Sequence, residues 1–148
     1  MVRTVLKRSL LAGMAGAAAV ACGDRVETAT VEIESRPLTA GEAPPRSSVE
    51  SARHTIRVRQ TIRVPDPCRR LQGDLLHSAG HITLRVNAVA GERECPAEET
   101  PLAYTASIRD LPSGRYRLRV VHPVERGGQP EVVLEHPVIV LERAVDVP

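Results

Sequence analysis

From His54 to Val64 the chain alternates. Ile56, Val58, Ile62 and Val64 fall on one side of an extended backbone, broken only by Gln60. Thr55, Arg57, Arg59, Thr61 and Arg63 fall on the other. A helix would scatter these residues around its surface, whereas a strand sorts them onto two opposite faces. This segment is therefore tied to a sheet with one face in a core and one in water. The same period recurs. Ala29, Val31 and Ile33 alternate with Thr30, Glu32 and Glu34. Ile82, Leu84, Val86 and Ala88 alternate with His81, Thr83, Arg85 and Asn87. Tyr104, Ala106 and Ile108 form one inward face, and Tyr116, Leu118 and Val120 another, the latter set against Arg115, Arg117 and Arg119.

Breakers separate these runs. Pro65-Asp66-Pro67 ends the first, and Ser78-Ala79-Gly80 is expected to turn a hairpin between 69–77 and 81–90. Residues 91–101 form an acidic, Pro-flanked loop holding Cys95. Leu111-Pro112-Ser113-Gly114 reads as a tight turn, with Pro fixing a negative φ and Gly allowing a positive one. Residues 126–130 turn the chain into a strand at 131–136, and after Pro137 a last strand runs from Val138 to Arg143. Residues 36–53, with Pro37, Gly41, Pro44 and Pro45, read as a linker or a long ordered loop. Seven or eight short strands without an amphipathic helix predict an all-β, Ig-like antiparallel β-sandwich.

Composition sharpens this picture. The chain has no Phe, no Trp and two Tyr, so Val, Leu, Ile and Ala must fill the core. Such side chains bury less area each, and a covalent staple would help. Twenty basic and 18 acidic side chains leave a net charge of +2, which gives no reason to expect nucleic acid as a partner.

The N-terminus has a different character. Arg3, Lys7 and Arg8 precede 13 uncharged residues, Ser9 to Ala21, which end in Ala19-Val20-Ala21-Cys22. A cationic start, a short apolar run and small residues at its end make a secretory signal, and the run is shorter than the roughly 20 residues of a membrane crossing. With Cys after the small residues, it resembles a bacterial lipoprotein signal. The resemblance implies cleavage after Ala21, acylation of Cys22 and a membrane-anchored protein facing the periplasm or exterior. An ordinary signal cut at the same place would leave Cys22 a free thiol. The expected division is a signal at 1–21, an anchored tail with one short strand and a linker at 22–53, and the sandwich at 54–148. With Cys22 acylated, Cys68 and Cys95 make an even pair in an oxidising compartment, as a disulfide or as two buried thiols. A disulfide there would stabilise the fold by roughly 3–4 kcal/mol.

The segment Tyr104 to Val120 contains the run Leu-Pro-Ser-Gly-Arg-Tyr, residues 111–116. It resembles the strand-turn-strand signature of fibronectin type III, transthyretin-like and carboxypeptidase-regulatory-like sandwiches. The resemblance implies that Tyr116 is a corner tyrosine, its ring in the core and its hydroxyl bonded to backbone across the turn.

Candidate chemistry is sparse. No G-x-S-x-G, H-E-x-x-H or phosphate-binding glycine loop occurs in the sequence. His77 and His81 flank the expected three-residue turn and are the metal candidates, with His54, His122 or His136 as a third ligand. Arg57, Arg59, Arg63, Arg85, Arg115, Arg117 and Arg119 are candidates for a cationic face toward an anionic envelope polymer or lipid headgroup. The alternative is a solvated face neutralised by Glu32, Glu34, Glu131 or Glu135. Val121, Val133, Ile139 and Leu141 fall on the outward side of their strands, as a partner surface or as strands buried on both faces. These readings favour a non-enzymatic envelope lipoprotein acting as a binding or structural module. The alternatives are an accessory protein handling a metal or small ligand through histidines, and, least favoured, a hydrolase. The reading calls for no cofactor, and its partners are the membrane and an envelope protein or polymer.

Overall fold

In a computed structural model, which describes residues 29–123 and 138–148, the alternating segments form eight strands. They are β1 (Thr30–Pro37), β2 (Ser48–Ala52), β3 (Thr55–Val64), β4 (Arg70–Ser78), β5 (His81–Val89), β6 (Thr100–Arg109), β7 (Gly114–His122) and β8 (Val138–Val147). Two four-stranded sheets result, ordered β1-β6-β3-β2 and β4-β5-β7-β8. All pairings are antiparallel except β5 with β7, between which the chain crosses to the first sheet as β6. Cys22, Val133, Glu131, Glu135 and His136 lie outside the described residues, as does the strand expected at 131–136.

The inward rows meet between the sheets as the alternation requires. Ile56, Val58, Ile82, Leu84, Ile108, Leu118 and Val120 are fully or almost fully buried. The core is aliphatic apart from Tyr104 and Tyr116. At one edge β1 lies over β4, where Gly73 leaves room for Val31 and Ile33. A Cβ on Gly73 would stand 2.9 Å from Ile33 Cδ1.

Several local readings change. Ser48–Ala52, within the segment read as linker or loop, is a strand paired with β3 from Ser48↔Arg59 to Ala52↔Thr55. β1, read as part of a tail, is bonded along its length to β6, from Thr30↔Arg109 to Pro37↔Leu102. The first sheet therefore incorporates both strands that precede residue 54. β8 runs to Val147, four residues beyond the expected end.

Turn chemistry accounts for other differences. The β4–β5 turn has two residues, Ala79 (φ 42°) and Gly80 (φ 79°), because Ser78 pairs with His81. Two successive positive φ values match the right-handed twist of the flanking strands. In the β6–β7 turn the positive φ belongs to Asp110 (62°), not to Gly114, which already lies in β7.

A disulfide joins Cys68 and Cys95, with Cα atoms 5.8 Å apart. Asp66 positions Cys68: its Oδ1 accepts the Cys68 N–H at 3.1 Å, and its Oδ2 accepts from Arg69 Nε at 2.8 Å. Gly91 passes so close that a Cβ there would overlap the Cys68 carbonyl.

Candidate functional site

The topology divides the seven arginines between two faces. Arg57, Arg59 and Arg63 stand on β3 in the first sheet, whereas Arg85, Arg115, Arg117 and Arg119 stand on β5 and β7 in the second. The outer faces of stacked sheets point away from each other, so the seven candidate arginines do not share one surface. Alternation placed each arginine outward correctly. Which sheet each strand joins depends on long-range pairing, which alternation does not encode.

Acidic neighbours answer most of these charges. Arg59 pairs with Glu50 at 3.2 Å and Arg63 with Glu99 at 2.8 Å on the first sheet. On the same face Arg109 pairs with Glu32 at 2.7 Å. On the second sheet Arg115 meets Asp146 at 2.9 Å, and Arg119 meets Glu142 at 3.3 Å with Arg117 at 3.9 Å. The hydrogen bond and charge of Arg115 hold the Asp146 carboxyl below the usual carboxylate range. The face is neutralised by other partners than the sequence named: Glu32 pairs with Arg109, outside the seven, and the acids that answer the candidates are Glu142 and Asp146 of β8, Glu50 of β2 and Glu99 of a loop. Arg57 and Arg85 make no ion pair among the described residues. Arg85 lies opposite Asp74, which accepts instead from Asn87 Nδ2 at 2.8 Å. The Arg85 Nε is buried without a hydrogen-bond partner among the described residues.

The histidines are dispersed rather than gathered. With a two-residue turn, His77 lies opposite Ile82 on the core side, while His81 lies opposite Ser78 on the outer side. Moving a turn boundary by one residue reverses which face a side chain occupies. The His77 ring rests 5.8 Å from that of Tyr116, and its Nε2 is buried without a partner among the described residues. His54, at φ 58° in the β2–β3 turn, donates from Nδ1 to the Leu111 carbonyl at 2.9 Å. His122 is buried beside Tyr104. No group of three or more His, Cys, Asp or Glu suited to a metal occurs among the described residues.

The sequence reading missed the most buried polar contact. Tyr104 of β6 and His122 of β7 face each other from opposite sheets, with the hydroxyl 2.8 Å from Nε2. With the imidazole proton on Nδ1, the hydroxyl donates to Nε2. Burial pushes the Tyr104 hydroxyl far up and the His122 imidazole down to about 4, so both are neutral at pH 7. The signal was available: Tyr104 was read as inward, and His122 follows Val120 by two on the same face.

Tyr116 closes the β6–β7 turn from its own strand. Its ring is 6 % exposed, and its hydroxyl donates to the Pro112 carbonyl at 2.8 Å. Of the outward apolar residues, Ile139 is exposed at 49 %, but Leu141 turns inward and packs against the core. A bulge is responsible: Val120 faces Leu141 while Val121 faces Ile139, leaving Val140 as the extra residue of β8. Val121 is on the outer row yet only 3 % exposed. Among the described residues, no helix is long and apolar enough to cross a membrane. No protein-family model, curated protein or solved structure matches the chain.

Proposed function

We propose that this chain is an exported, lipid-anchored envelope protein whose sandwich serves as a non-enzymatic binding or structural module. The observation that carries the reading is the N-terminal order: basic residues, 13 uncharged residues, small residues, then Cys22. Cysteine use supports it. Cys68 and Cys95 are joined, and disulfides persist in oxidising compartments. Cys22 is the odd cysteine, which suits a residue consumed by acylation.

An envelope protein is favoured over an anionic polymer as the partner. The outer arginines are divided between two faces and mostly answered by acids, so neither face concentrates positive charge. Metal handling through His77 and His81 loses its footing because the two rings point to opposite sides of their hairpin.

Fractionation tests the proposal. Wild-type chain should partition with membranes and carry an acyl mass increment on the peptide beginning at Cys22. The Cys22→Ala variant should lose that partition, being secreted or accumulating as precursor. An uncleaved, unacylated Met1 in a soluble fraction would overturn the reading.

A further inference from the structure

We propose that the sandwich stands on the membrane by the end where β1 begins, presenting the Cys68–Cys95 end away from the lipid. The inference rests on the proposed acylation of Cys22 and adds an orientation to it. Seven residues separate Cys22 from Thr30, the first residue of β1. They span at most about 27 Å, whatever their conformation.

The sheets fix which end that tether enters. Thr30 lies opposite Arg109, immediately before the β6–β7 turn. That turn is bonded to the β2–β3 turn, where the Leu111 N–H donates to the His54 carbonyl at 3.1 Å. The β4–β5 turn lies at the same end, its Gly80 carbonyl accepting from the Arg117 N–H at 2.8 Å. At the opposite end Pro37 pairs with Leu102 and Val64 with Thr100, next to the loops that the disulfide joins. The two ends are separated by the length of β3, ten residues or about 33 Å. That is more than the greatest reach of the tether, so with the body standing on its tethered end the two ends lie at different distances from the lipid.

Segment 36–53 therefore does not act as a spacer, because it follows a strand already locked into the sheet. Among the described residues little on the outer faces pulls the body flat: the well-exposed large apolar side chains, Leu76 and Ile139, stand apart on the two edge strands β4 and β8. A basic surface would draw toward anionic headgroups, but most outer arginines hold a cross-strand or loop carboxylate.

Energy transfer on the full acylated chain tests this. With Cys22 acylated and the disulfide closed, Ser113→Cys and Ala97→Cys each supply a single free thiol for a donor dye, one at each end. Both variants are first checked for a β-type circular dichroism spectrum. They are then reconstituted in phosphatidylcholine vesicles with acceptor on the headgroups. The dye at position 113 should transfer several-fold more efficiently than that at 97. Inserting a flexible segment of about 20 residues after Gly23 should erase most of the difference. Equal transfer, or stronger transfer from 97, in vesicle-bound protein overturns the orientation. Failure of the acylated wild type to stay on vesicles, or unchanged retention of Cys22→Ala, overturns the anchor itself.

Discussion

His122 occupies an inward position that an aliphatic side chain would fill without a polar partner. Its compensation is the Tyr104 hydroxyl, delivered from the opposite sheet. The pair couples the two layers and makes stability depend on pH. In the unfolded chain the imidazole takes a proton near pH 6.5, whereas in the fold burial delays this to about pH 4. Below pH 6.5 the unfolded state therefore binds more protons, and folding stability falls until about pH 4, where it levels off. The loss across that window is about 3 kcal/mol. Urea titrations at pH 7, 5.5 and 4 should show the decline, and His122→Gln should flatten it. Glu42 enters only at the acid end of the window. The hydrogen bond from Arg36, followed by that from the Thr39 backbone, lowers it from 4.5 to about 2, so its own contribution is lost from about pH 4.5 downward and the decline between pH 7 and 5.5 belongs to His122. Tyr104→Phe should cost about 1–2 kcal/mol at pH 7 while leaving the slope in place, because the slope comes from burial.

Strands were easier to read than the connections between them. Ala79 holds φ at 42° without being glycine, in a turn type that favours Asn followed by Gly. Ala79→Asn should therefore raise stability by about 0.5–1 kcal/mol, measured as a higher denaturant midpoint at unchanged slope. The same turn shows where sequence reasoning stops. The rows that contain Ile56, Leu84, Ile108 and Leu118 were legible because a core face writes itself as alternation. The length of the β4–β5 turn was not, since Ser78 is as compatible with a turn as with a strand end. That single residue separated His77 from His81. β2 escaped notice because Ser48–Ala52 offers only Val49 as an apolar inward residue, and its stability comes from pairing with β3. The bulge at Val140 was equally silent: an extra residue between Ile139 and Leu141 leaves both as ordinary strand formers. The candidate arginine surface failed at the next level, where sheet membership is set by contacts far apart in the chain.

Across the whole molecule, one covalent link supplements a core that contains no Phe or Trp. It closes a separation of 27 residues at one end of the sandwich. Reduction should lower unfolding free energy by about 3–4 kcal/mol through the added freedom of the unfolded chain. Paired denaturation curves with and without reductant check this, and a Cys68→Ala, Cys95→Ala double variant should match the reduced protein. The first strand introduces a different constraint. β1 finds its hydrogen-bonding neighbour in β6, which begins at Thr100. Until that distant segment has been synthesised, the opening strand has no place in a sheet, and β3 lacks one of its two neighbours as well. Assembly by way of such remote pairings is slow. A ribosome or a translocation channel would thus handle this polypeptide as a pliable thread for most of its passage, and the body would close only after its later half had emerged.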